Sequence, residues 1–210
     1  MEEPGTRGGP RIEVRWFLAG DLPTGVTEWF AQFPSSAEAR EDSYLVAPRL
    51  PGLTVKLRGG LALDVKLYRG NRGLLRIPGI AEGQLGSWSK WSFSFDAEVQ
   101  PPEYGVAWRR VKKDRKLSTF VLDDRRLIAG LPASQDQLVC TAELSHIAVD
   151  DERWWTFAFE SAGPADRQRH AIEMTADRFL RTDVPVDLQL TLEHCRPYTD
   201  WLDGLEVRGQ

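Results

Sequence analysis

The feature that most constrains this chain is a charge on every second residue in several separate stretches. In "RIEVRW" Arg11, Glu13 and Arg15 alternate with Ile12, Val14 and Trp16, and in "TVKLR" Lys56 and Arg58 alternate with Val55 and Leu57. Asp64 and Lys66 flank Val65 in "LDVKL", and Lys113 and Arg115 keep the same spacing in "VKKDRK". A period of two belongs to a β-strand, where residues two apart share a face. The chain is therefore expected to fold around strands with one charged and one apolar face.

On an ordinary surface sheet the charged face points to water. Three observations argue that here it points inward. The charges are segregated: residues 53 to 73 hold Lys56, Arg58, Lys66, Arg69 and Arg72 against Asp64 alone, and residues 105 to 126 hold eight basic residues against three acidic ones. Residues 136 to 160 reverse the balance, with six acidic residues against Arg153. The opposite face carries large apolar groups, read as including Trp16, Trp154 and Phe157, which helices could cover. Finally, a polyanion needs cations at successive phosphates, and a divalent ion needs carboxylate oxygens beside them. A barrel lined with both supplies that arrangement.

Alternating or β-branched and aromatic runs recur as "RIEVRWFL", "DSYLVAP", "LTVKLRGG", "LALDVKLYRG", "KWSFSFDAEV", "VAWRRVKKDRKLSTFVL", "QLVCTAELSHIAV" and "RWWTFAFES". The second pair of glycines, Gly59-Gly60, predicts a hairpin between two of them. Val26, Trp29, Phe30 and Phe33 recur at helical spacing, as do Ile172, Ala176, Phe179 and Leu180, and "TDWLDGL" predicts a last short helix anchored by Trp201 and Leu202. The expected fold is α+β: an eight-stranded antiparallel closed β-barrel, a tunnel, with a few flanking helices. Residues 1 to 10, with three Gly and two Pro, are expected as a flexible tail ahead of a single domain over 11–205.

The net charge of -4 argues against wrapping duplex nucleic acid, which is bound mostly by neutralising phosphates. No stretch approaches the roughly 18 apolar residues of a membrane span and no apolar leader opens the chain, so a cytoplasmic protein without membrane contact is expected. Cys140 and Cys195 sit in no CxxC and are expected as reduced structural thiols, and the three histidines, His146, His170 and His194, are scattered.

The order of these strands resembles the CYTH superfamily of triphosphate tunnel metalloenzymes, which includes thiamine triphosphatase, inorganic triphosphatases, class IV adenylate cyclase and tunnel-type RNA triphosphatases. That family opens with Glu-x-Glu-x-Lys, matched here by Arg11-Ile12-Glu13-Val14-Arg15. It continues with a paired basic strand (Lys56, Arg58), an acidic-x-Lys strand (Asp64, Lys66), a Lys-x-Arg strand (Lys113, Arg115) and late strands with inward carboxylates, matched by Glu143 and Glu160. The closing "RPYTDWL" is similar to the "YPxWL" of some members. The resemblance runs over about residues 11 to 203.

It implies a metal-dependent hydrolase of a triphosphate-containing small molecule, inorganic or organic. Glu13 and Glu160 would be catalytic, and Arg15, Lys56, Arg58, Lys66, Lys113 and Arg115 would bind phosphates. Glu13, Glu143 and Glu160 would hold Mg²⁺ or Mn²⁺. Two family carboxylates are replaced, by Arg11 and Ala158, which thins that metal set. The alternative is a non-catalytic module that keeps the cationic half and binds polyphosphate, a nucleotide or an acidic partner.

Overall fold

Each of the eight alternating runs contributes a strand in the computed structural model, which describes residues 6–47, 50–101, 108–123, 126–130, 134, 137–186 and 188–206. The elements in chain order are β1 (Thr6–Ala19), α1 (Thr24–Phe30), β2 (Ser36–Leu45), β3 (Leu53–Arg58), β4 (Ala62–Ile77), β5 (Ala81–Ser94), β6 (Trp108–Asp123), β7 (Arg126–Ala129), β8 (Val139–Val149), β9 (Glu152–Ala162), α2 (Gln168–Leu180) and α3 (Tyr198–Glu206). The strands lie in the order β2-β3-β4-β5-β1-β9-β8-β6, and β2 pairs back onto β6. That last pairing, Ser36↔Leu117 through Leu45↔Trp108, closes an eight-stranded antiparallel barrel. The additional β7 pairs with the far part of β6, from Phe120↔Ala129 to Asp123↔Arg126. The hairpin between β3 and β4 turns at Gly59 and Gly60, whose φ values of 55° and 71° are those a tight primed turn needs and glycine adopts without strain.

Two sequence expectations need correction. Residues 6 to 10, expected as tail, belong to β1, because Thr6, Arg7 and Gly8 pair with Ser92, Trp91 and Lys90 of β5 and so gain backbone hydrogen bonds a free tail would lack. Residues 1 to 5 lie outside the described residues. Trp154 is on the inward face of β9, not the outward one: it shares parity with Thr156 and Glu160, and Trp201 of α3 covers it edge-on at 5.7 Å. The strand β2 also begins six residues before "DSYLVAP", at Ser36.

The barrel has an apolar layer on each side of its wall. Outside, Ile12, Val14 and Trp16 of β1 and Phe157 and Phe159 of β9 join Trp29 and Phe30 of α1 and Ile172, Ala176 and Phe179 of α2 in one core. Phe179 stacks on Phe33 at 3.8 Å. Trp16 lies so close to β5 that a Cβ at Gly83 would stand 2.5 Å from its ring, and its indole N–H donates to Glu82 O at 3.0 Å. Inside, at one end of the barrel, Phe17, Tyr44, Val111, Ile147, Val149 and Trp154 meet Trp201 and Leu202 of α3. Phe17 and Trp201 stack at 4.7 Å, so α3 plugs that end. Among the described residues no helix is long and apolar enough to cross a membrane. Both cysteines are free, and Cys140 is buried in the outer core.

Candidate functional site

Between the plug and the rest of the barrel the inward positions are charged, and they enclose a cavity of about 690 Å³. Ten basic and six acidic side chains line it, an excess of four positive charges inside a chain whose net charge is -4. Arg15, Lys56, Arg58, Lys66, Lys113 and Arg115 all line it, as do Glu13, Glu143 and Glu160. The parity of each strand explains why: once one charged residue faces in, its neighbours two away must follow.

The charges are arranged as a chain of ion pairs. Glu13 faces Glu160 directly across the β1–β9 register. Lys66 Nζ bridges them, 3.1 Å from Glu13 and 3.2 Å from Glu160, while Arg11 donates to the other Glu160 oxygen. Arg15 Nε donates to Glu13 at 2.7 Å and its Nη1 to Glu143 at 3.0 Å. Glu143 also accepts from Arg115 at 2.7 Å. Burial pushes the Glu13, Glu143 and Glu160 carboxyls up, but the paired cations overcome it and hold all three below the usual carboxylate range: Lys66 and Arg15 for Glu13, Arg15 and Arg115 for Glu143, Lys66 and Arg11 for Glu160. They are ionised at neutral pH.

A second cluster lies against the plug. Asp42, fully buried, accepts from Lys113 Nζ at 2.9 Å and from Lys56 Nζ at 3.0 Å. Lys113 also donates to the Tyr44 hydroxyl at 2.5 Å and sits 4.2 Å from the centroid of the Tyr198 ring. Burial lowers the Lys56 ammonium to about 8, and burial together with the Lys56 charge lowers Lys113 well below its ordinary value. Asp42, Glu38 and Arg40 of β2 and Lys90 of β5 were missed as site residues by sequence reasoning, although Glu38-x-Arg40-x-Asp42 has the same period-two charge pattern. Lys90 pairs with Asp64 at 3.1 Å. Among the described residues Arg58 is the least committed of the predicted phosphate-binding cations, with Ser92 Oγ at 3.4 Å and Asp64 at 3.7 Å.

The donor set can be tested against a divalent ion. Arg15 stands between Glu13 and Glu143 and Lys66 stands between Glu13 and Glu160, so ammonium and guanidinium groups fill the places a hard cation would take. Among the described residues no three Asp, Glu, His or Cys side chains come together to hold a metal. As paired here, the carboxylates do not fit Mg²⁺ or Mn²⁺. Arg11 reinforces this by engaging Glu160.

No family profile matches the chain and no curated protein sequence does. Among solved structures it is similar to the S. pombe Pct1 RNA triphosphatase in complex with the Spt5 CTD, at 11% identity and a TM-score of 0.43, over 87% of this chain and 88% of that one. The S. pombe Pct1 RNA triphosphatase alone gives 12% identity and a TM-score of 0.41, over 84% of this chain and 86% of that one. Both are loose likenesses.

Proposed function

We propose that the barrel binds the triphosphate group of a small molecule in its cationic cavity and hydrolyses a phosphoanhydride bond there. One observation carries this reading: cations from β1, β3, β4 and β6, predicted from spacing alone, converge on a single cavity with an excess of positive charge. A triphosphate brings several anionic oxygens along a short chain, and Arg15, Lys56, Arg58, Lys66, Lys113 and Arg115 present donors to successive phosphates. The same donors neutralise charge on the leaving group as the bridging P–O bond breaks and water adds to the terminal phosphorus. In this reading Glu160, ionised and opposite Glu13, accepts a hydrogen bond from that water.

The pairing of Glu13, Glu143 and Glu160 with cations favours a second reading, a binding module without turnover. Phosphate release from tripolyphosphate, measured without added metal and with Mg²⁺ or Mn²⁺, separates the two. The hydrolase reading expects release by the wild type and its loss in Glu160→Gln. Binding of tripolyphosphate by calorimetry with no release under any condition would establish the binding module instead, and absence of binding would overturn both.

A further inference from the structure

The cavity contains one feature that phosphate binding does not use. Trp16, Trp29 and Trp155 are buried in the outer core and Trp154 and Trp201 in the plug, but Trp88, only 6% exposed, belongs to neither. It lines the cavity together with Tyr68, its direct register partner across β4 and β5. The two rings lie 5.0 Å apart at 60°. Gly86 lets them settle against the wall, since a Cβ there would stand 3.0 Å from Trp88 Nε1 and 3.1 Å from Tyr68 Cε2. Tyr68 is anchored from behind by Gly52, whose carbonyl accepts its backbone N–H at 2.8 Å.

Neither the Trp88 indole N–H nor the Tyr68 hydroxyl has a hydrogen-bond partner among the described residues. Neither atom is sealed from the cavity, so both donors are available to something in it. The pair also sits at a telling position. On β4 the inward series runs Asp64, Lys66, Tyr68, and Lys66 pairs with Lys90 just as Tyr68 pairs with Trp88. The lining passes from two cations to two aromatic rings in one inward step, about 7 Å along the strand at roughly 3.4 Å per residue. One pentose or a short linker spans that gap.

We infer that Trp88 and Tyr68 form a subsite for a flat heteroaromatic ring, so that the ligand is an organic triphosphate, of the size of a single nucleotide, and not the inorganic ion. This rests on the triphosphate reading above and adds the group that hangs from the phosphates. Tyr68, the less buried of the two, stacks on the ligand's ring face, the Trp88 indole N–H meets an edge heteroatom from its tilted position behind it, and Lys66 and Lys90 take the nearest phosphate. The cavity, at about 690 Å³, holds such a molecule.

The test is calorimetric titration of wild type, Trp88→Leu, Trp88→Phe and Tyr68→Leu with ATP and with tripolyphosphate. The wild type is expected to bind ATP about tenfold or more tightly than tripolyphosphate, the scale that stacking a base on an aromatic side chain contributes. In Trp88→Leu the ratio of the two affinities falls toward one, and Trp88→Phe restores part of it. Retained tripolyphosphate binding in each variant shows that the barrel has folded, and Tyr68→Leu carries the test if Trp88→Leu does not fold. Equal wild-type affinities, or a ratio unchanged by the substitutions, would overturn the aromatic subsite while leaving the triphosphate reading intact. Failure of the wild type to bind either probe would overturn both.

Discussion

The same strands are charged on their inward face in the middle of the barrel and apolar at its plugged end, and the change takes two residues. Arg15 gives way to Phe17 on β1, Asp42 to Tyr44 on β2 and Lys113 to Val111 on β6. The two regions have opposite energetics. In the plug, burial of Phe17, Trp154 and Trp201 contributes to stability in proportion to apolar area removed from water. In the charged stretch, desolvation of each ion offsets much of what its partner returns, so the ion pairs contribute little net stability while each lost partner exposes the full cost. What the difference teaches is a division of labour: the plug holds the barrel shut, and the charged stretch holds it ready for an anion.

The comparison breaks if the plug proves dispensable. Trp201→Ala is expected to lower stability by about 3–5 kcal/mol, the usual cost of removing a buried large aromatic side chain. Thermal or urea unfolding reads it, and a loss no larger than that of a surface substitution would sink the assigned role.

Asp42→Asn probes the other region where it adjoins the plug. It leaves Lys56 and Lys113 facing one another without their shared carboxylate, and the expected loss is about 3 kcal/mol at neutral pH. The loss should shrink as pH rises above 8, because the Lys56 ammonium, lowered by burial to about 8, then gives up its proton. The sign follows from proton binding: between about 8 and the ordinary lysine value the unfolded chain binds more protons than the native one, so Lys56 makes the native state gain stability as pH rises. A loss independent of pH would mean that Asp42 acts through packing.

Arg58→Ala should separate binding from stability. Its contacts in the unliganded barrel are long, so stability is expected to change little. Tripolyphosphate affinity should fall by about 1–3 kcal/mol, the scale of a charge-assisted hydrogen bond. Unchanged affinity by calorimetry would remove Arg58 from the phosphate site.

The smallest effect is expected from pH alone. Tripolyphosphate affinity in the wild type should decline as pH rises from 7 to 9, by less than about tenfold, as one lysine charge is lost. Lys56→Arg, which keeps its charge throughout, should flatten that decline. Parallel pH profiles for the two proteins would place the titrating group elsewhere.

Much of this division was legible beforehand, for stated reasons. The inward set on β1, β3, β4 and β6 follows from parity, which is a local property and survives any tertiary arrangement. Glu38 and Arg40 were missed because "SAEARE" is built from residues that seldom form strands, and its strand lies alongside β6; Asp42, at the start of the run "DSYLVAP", stood there as a single charge with Tyr44, not a second charge, two residues on. Trp88 could not be distinguished from the other tryptophans, since burial in a core and burial beside a cavity look the same in sequence. The reading of Trp154 as outward failed for the related reason that a Trp on a charged face looks misplaced until α3 covers it.

What the sequence by itself determined is therefore the eight strands of the barrel, though not the additional β7, the charged face and the two amphipathic outer helices, all of which depend on periodicities of two or about four residues. Only the tertiary structure decided that β2 closes the ring onto β6, that α3 plugs one end, and that Lys66 and Arg15 stand where a metal ion would need open oxygens. Those are contacts between residues distant in the chain. No local pattern encodes them, because their free energy arises only when separate strands bring the charges and rings within reach of one another.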